Sequence, residues 1–174
     1  MMTSVMNKTD TINLLSRVAI LAFTIFICVY LDQSTKAEAQ THLRAHASIS
    51  VIDNVLYFVY AENTGTMLSI GSKLPESLRY QLFVVLIGIV LAAITAFVLA
   101  RPLPYQNVLA ASLVVGGGLG NLIDRVIHNG SVIDFMLIKL GSLETGIFNV
   151  ADIAITLGTL LLLFLFMTSN NKST

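Results

Sequence analysis

Charge is what this sequence has least of. Only 11% of its 174 residues are Asp, Glu, Lys or Arg, while 55% are hydrophobic. An ordinary soluble domain carries about 25% charged residues. Too few polar groups are available to cover a water-facing surface, so a soluble fold is excluded and a membrane protein is expected. The net charge is zero, which offers nothing for nucleic acid to hold. The single cysteine, Cys28, stands inside an apolar run. It has no internal disulfide partner and reads as a small core side chain. Only three prolines occur, Pro75, Pro102 and Pro104, all outside the long apolar runs. Those runs are therefore free to form unbroken helices.

Four runs are long enough to cross a bilayer, at residues 12–31, 81–100, 107–127 and 147–167. The first also resembles a signal peptide, with Lys8 and Arg17 as its charged start and Ala37-Glu38-Ala39 as a cleavage-like triplet. Asp32 and Lys36 make a poor approach to such a cleavage site, and further spans follow, so an anchored helix is the better reading. Gly116, Gly117, Gly118 and Gly120 give the third run a low-bulk face that another backbone can approach. Residues 32–80 read as an extramembrane platform. Ile49 to Tyr60 has the composition of one or two short strands. Asn63-Thr64-Gly65 is a turn signal, and Pro75-Glu76-Ser77 opens the next helix. The expected fold is mainly α, with four transmembrane helices, a small β-sheet platform and a short helix, all in one domain over residues 1–174.

Four spans place both termini and the 101–106 loop on one side. That side holds Lys8, Arg17, Arg101 and Lys172. The other holds Lys36, Arg44, Lys73, Arg79, Arg125 and Lys139, together with nine of the ten acids. The count of basic residues does not favour termini inside, and composition leaves orientation open.

The chemistry concentrates between Gly120 and Asp152, in Gly120-Asn121-Leu122-Ile123-Asp124-Arg125, Ser131-Val132-Ile133-Asp134-Phe135 and Phe148-Asn149-Val150-Ala151-Asp152. Charged groups beside hydrocarbon are costly and are functional candidates by default. The third and fourth spans run in opposite directions, so Asp134 and Asp152 can face each other near one membrane surface. Two carboxylates forced together share one proton. The ionised one then accepts a proton from water, and the protonated one hydrogen-bonds to a carbonyl that gathers negative charge.

Asn121 with Arg125, Asn149 with Asp152, and Asp32 with Lys36 have the spacing of partners on single helix faces. Asp32 with Lys36 reads equally as a helix-end ion pair. Asp124 beside Arg125 reads as a structural pair at the bend after the third span. His42 and His46 lack the Glu of a protease-type metal motif, so no metal is expected. Ser69 and Ser131 lack a base, and Glu62 and Glu144 read as solvated loop acids. From these residues alone, a proton-coupled transporter with an acid relay stands beside the hydrolase.

Five motifs occur here in one order: Asp32-Gln33-Ser34-Thr35-Lys36, Asn63-Thr64-Gly65, Gly117 to Arg125, Val132 to Phe135, and Phe148 to Asp152. In this the sequence resembles the lipoprotein signal peptidases, membrane aspartic proteases of bacteria, over nearly its whole length. The resemblance implies that Asp134 and Asp152 are catalytic. It assigns Asp32, Lys36, Asn63, Gly65, Asn121, Asp124, Arg125 and Asn149 to the supporting and substrate-binding set. It implies no cofactor, a lipid-modified prolipoprotein substrate within membrane lipid, and a monomer in the inner membrane. The termini would be cytoplasmic and the site would face the periplasm. The resemblance breaks at Thr66-Met67-Leu68-Ser69, where the family has a small residue followed by Phe-Ser.

Overall fold

The computed structural model describes residues 12–45, 48–65 and 70–170. Among these described residues, five α-helices and four strands follow in the order α1 (Leu14–Leu43), β1 (Ile49–Ile52), β2 (Leu56–Asn63), α2 (Glu76–Tyr80), α3 (Ile87–Ala100), α4 (Tyr105–Ile127), β3 (Val132–Leu140), β4 (Leu143–Glu144) and α5 (Val150–Asn170). A π-helical turn, Gln81–Leu86, joins α2 to α3, so that Glu76–Ala100 is one continuous rod. That rod, α1, α4 and Val150–Ser169 of α5 are each long and apolar enough to span a membrane.

The helix bounds differ from the sequence expectation in one way that matters. The sequence ends the first span at Leu31, but α1 runs on to Leu43 and is 30 residues long. That is about 45 Å of helix, against a hydrocarbon core of about 30 Å. Nothing between Asp32 and Leu43 breaks a helix, and no glycine or proline occurs there. The polar residues of this stretch are a buried face rather than an exit: Asp32, Lys36, Ala39 and Leu43 all point inward. Ala39 and Leu43 then pack with Phe135, joining the helix to the sheet. The other starts shift by a few residues. The second span, expected from residue 81, begins at Glu76, because the helix read to open at Pro75-Glu76-Ser77 runs straight into it. The third starts at Tyr105 behind Pro104. The fourth waits until Val150, because Phe148 is still paired with Met136.

The strand expectation for 49–60 resolves into β1 and β2, with Asn54 at positive φ in the turn between them. The sheet is antiparallel in the order β1-β2-β3-β4. Its third strand was not expected. After α4 stops, Asn129 (φ 52°) and Gly130 (φ 91°) reverse the chain. Val132 to Leu140 then pairs with β2, placing Ala61 opposite Asp134 and Asn63 opposite Val132. The platform is thus built from 49–63 and 132–144, not from 32–80 alone.

Helix α4 is the centre of the bundle and carries its largest set of buried residues. Its glycines are what let the neighbours close in. A Cβ at Gly116 would stand 2.8 Å from the Cβ of Cys28 on α1, and one at Gly117 would run into the Ala151 carbonyl oxygen on α5. Cys28 is buried there, as its apolar setting suggested. The outward faces of α1, α3 and α5 carry exposed Phe23, Ile89, Leu160 and Phe164, side chains suited to lipid rather than water.

Candidate active site

The site forms where α1, α4 and α5 meet the edge of the sheet. Helix α5 begins with Asn149 as its cap. Asn149 Oδ1 accepts from the Asp152 N–H at 3.0 Å, and Asp152 Oδ2 accepts from the Asn149 N–H at 3.1 Å. This is the reciprocal arrangement of a capping box, with Asn and Asp in place of the commoner Ser and Glu. The next orphan donor, the Ala151 N–H, is taken by Asp32 Oδ1 at 2.9 Å. The start of α5 is therefore held by the same carboxylates and amide that the sequence marks as chemical.

A buried ion network lies beneath it. Lys36 Nζ sits 2.7 Å from Asp32 Oδ2 and 3.0 Å from Asp124 Oδ2, and donates to Asn121 Oδ1 at 3.0 Å. All three ammonium protons thus have partners, and the lysine is only 2% exposed. Asp124 also accepts the Ile133 N–H at 2.9 Å, which fixes β3 one residue before Asp134. Asn121 Nδ2 donates to Asp152 Oδ1 at 2.9 Å. Asn149 Nδ2 donates to Asn121 Oδ1 at 3.0 Å and to Asp134 Oδ1 at 2.7 Å. The two asparagines are the bridge: Asn149 touches both Asp134 and Asp152, and Asn121 ties Asp152 to Lys36.

Asp134 is completed from the sheet. Asn63 Nδ2 donates to its Oδ2 at 3.1 Å from the neighbouring strand, and Asn63 Oδ1 accepts the Gly65 N–H at 2.9 Å. Arg125 closes the ring, donating from Nη2 to the Gly65 carbonyl at 2.8 Å and from Nη1 to the Asn121 carbonyl at 3.1 Å. All ten residues named from the sequence therefore belong to one connected network. Thr66 to Ser69 and His46 lie outside the described residues.

Burial pushes the Asp134 carboxyl up to about 6, and the charge of Asp152 pushes the same way. The Asn63 and Asn149 hydrogen bonds and the charge of Lys36 oppose the rise. Asp134 is 3% exposed, while Asp152 is only half-buried. The pair is thus unequal in setting: Asp134 is buried, and Asp152 is more exposed.

One expected pairing fails. Asp124 and Arg125 do not pair; Asp124 faces Lys36, and Arg125 faces Gly65. Adjacent residues of a helix point in different directions, so the two cannot share a face. The Asp32–Lys36 pair does form, but deep in α1 rather than at its end. Glu62 and Glu144 are exposed and carry surface ion pairs with Arg44 and Lys139. Sequence reasoning missed Gln33, whose Nε2 donates to Asp124 Oδ1 at 2.9 Å and to the Gly120 carbonyl at 3.2 Å. Its position next to Asp32 in the first motif was the available signal. Phe83, whose ring lies under Arg125 at 5.7 Å, carried no signal in an apolar run.

The family description "Signal peptidase (SPase) II" matches residues 24–168, which include every residue of this network. The chain belongs to the signal peptidase II family. It is a peptidase and a multi-pass bacterial membrane protein. Curated relatives agree. A lipoprotein signal peptidase of Chlorobium phaeobacteroides is 35% identical over 151 residues, 82% of this chain and 86% of that protein. Those of Sphingopyxis alaskensis and Syntrophus aciditrophicus are 37% and 33% identical over 138 residues, 78% of this chain and 78% and 84% of theirs. Two solved structures described as a bacterial membrane enzyme share the fold. One has a TM-score of 0.77 at 26% identity over 95% of both chains, the other 0.68 at 27% over 90% of this chain and 96% of its own.

Proposed function

We propose that this member of the signal peptidase II family is an aspartic endopeptidase that removes signal peptides from diacylglyceryl-modified prolipoproteins. The observation that carries the reading is the unequal pair: Asp134 and Asp152 both bonded to Asn149, the first buried with a raised pKa, the second more open. Asp152 takes a proton from a water molecule as the water oxygen attacks the scissile carbonyl carbon. Asp134 gives its proton to the carbonyl oxygen, which relieves the developing charge. When the tetrahedral species collapses, the C–N bond breaks. The proton on Asp152 then passes to the leaving nitrogen, and Asp134 recovers its own from the hydroxyl. No metal and no nucleophilic side chain is required.

Asp32, Lys36, Asn121, Asp124 and Asn149 position this pair, and Asn63, Gly65 and Arg125 line its outer edge. The site lies at the ends of apolar spans. That suits a substrate whose signal helix and acyl chains stay in lipid while the cleaved bond stands at the interface. The relatives' shared name supports this substrate and disfavours the transport-type alternative. We place the termini in the cytoplasm and the site on the outer face. Lys36 and Arg125 are sequestered in the network, which leaves four basic residues on each side, so this placement rests on the family resemblance.

Cleavage of a purified prolipoprotein with and without its diacylglyceryl group tests the reading. Wild type is expected to cleave the modified form and Asp152→Asn is not. Equal cleavage of the unmodified form would remove the lipid from the substrate definition.

A further inference from the structure

We infer that Phe83 is a positioning residue for Asp134, and that the π-helical turn is the device that places it. The inference rests on the aspartic reading above. The second membrane rod changes to π-helix at Gln81–Leu86 and back to α-helix at Ile87. Such a turn inserts an extra residue and rotates what precedes it by about 100° relative to a continuous α-helix. Here the turn presents Phe83 to two groups outside its own helix.

The first group is Arg125. Its guanidinium lies 5.7 Å from the Phe83 ring centroid. This arginine is 6% exposed, and its Nε has no hydrogen-bond partner among the described residues. Two backbone carbonyls, those of Asn121 and Gly65, take Nη1 and Nη2. The ring face is thus the third support of a buried cation, a role aromatic rings fill through their negative faces.

The second group is Gly71, in the connection from β2 to α2. A Cβ there would stand 2.6 Å from Phe83 Cζ, and Gly71 has φ of +82°. The backbone therefore lies directly against the ring. One helical turn earlier on the same rod, Arg79 Nη1 donates to the Ser72 carbonyl at 3.1 Å. Arg79 and Phe83 together hold the far end of the connection, while Arg125 holds its near end at Gly65.

Gly65 is fixed by Asn63, and Asn63 donates to Asp134. The sequence of supports runs from Phe83 through Arg125, Gly65 and Asn63 to the buried carboxyl. A ring that shifts releases Arg125, then Gly65, then the amide that holds Asp134.

Phe83→Leu keeps an apolar side chain but removes the ring face. It is expected to lower kcat on the order of tenfold or more, with a smaller change in KM, because the reacting carboxyl is misplaced. A second readout separates positioning from mere folding. Asp134 is faced by Asp152, Lys36 and Arg125 and bonded by Asn63 and Asn149. Losing Arg125 and Asn63 removes influences that favour its ionised form, so the alkaline limb of kcat/KM moves to higher pH. A variant that only folded less well would scale the rate and leave the limb in place.

Gly71→Ala, which drives a methyl into the ring, is expected to give the same pair of changes from the opposite side. Should Phe83→Leu not accumulate, Phe83→Met offers similar volume without a ring and carries the same test. A wild-type rate in folded Phe83→Leu or Phe83→Met overturns the inference, and so does a reduced rate with an unmoved pH limb. Asp134→Asn is run alongside. If it cleaves normally, the aspartic reading itself has failed, which is distinguishable from a failure at Phe83.

Discussion

Lys36→Met is the most informative perturbation of the buried network. Methionine has a similar slender shape but no charge. In the wild type, Lys36 Nζ makes contacts of 2.7 Å with Asp32, 3.0 Å with Asp124 and 3.0 Å with Asn121. The two carboxylates are 0% and 1% exposed, so water cannot replace the lost cation. Removing one partner of a buried ion pair costs about 3–5 kcal/mol, because an uncompensated charge is left behind. This is a large share of a typical stability of about 5–15 kcal/mol. For a chain of this size it corresponds to a fall in Tm of about 6–20 °C. Thermal unfolding in detergent measures it. Adding Asp32→Asn and Asp124→Asn removes both orphaned charges while keeping acceptors for the Ala151 and Ile133 N–H groups. That triple variant is expected to regain at least half of the lost Tm. A shift within about 2 °C for Lys36→Met, or no recovery in the triple variant, would refute the idea that the network is a dry, charge-balanced support.

Three further outcomes follow from the same geometry. Asn149→Ala removes the α5 cap, costing about 0.5–2 kcal/mol in thermal unfolding. It also cuts the bridge to Asp134, and cleavage is expected to fall on the order of 100-fold; a loss of stability with full activity would count against the bridging role. Gly120→Ala would put a methyl 2.5 Å from Asp32 Oδ2 and 3.3 Å from Ala151 Cβ. It is expected to destabilise by about 1–3 kcal/mol, and an unchanged Tm would show that α1 and α5 can yield there. The acid form of Asp134 is lost as pH rises through its pKa of about 6. With Asp134 as proton donor, kcat/KM is expected to fall on the alkaline side from about pH 6, or from higher pH where lipid adds to the burial. An alkaline limb below pH 5 would exclude that role.

The spans and the residues of the polar network were legible because polar groups in an apolar sequence stand out. Asp32 and Lys36 stand at the end of the first apolar run, Asn121, Asp134 and Asp152 stand beside or within the later ones, and all five fall into the network. What was hidden was hidden for physical reasons. The stretch from Asp32 to Leu43 looked like an exit from the membrane, because composition cannot tell a buried polar face from a solvated one. Strand β3 was missed because its apolar residues lie between two apolar spans, and its pairing with β2 is a contact across some 75 residues. The partner of Asp124 was misread because the nearest opposite charge in sequence points elsewhere on the helix, while Lys36 arrives from another element. Phe83 was one aromatic among many. Only the π turn and the position of Arg125 distinguish it.

Asp134 and Asp152 are the proposed reacting pair, with Asp124 in the ion network beside them. Cleavage of a diacylglyceryl-prolipoprotein under single-turnover conditions, by folded Asp134→Asn, Asp152→Asn and Asp124→Asn proteins, tests it most directly. The predicted result is no cleavage by the first two and slowed but measurable cleavage by Asp124→Asn. Cleavage at the wild-type rate by either Asp134→Asn or Asp152→Asn would contradict it.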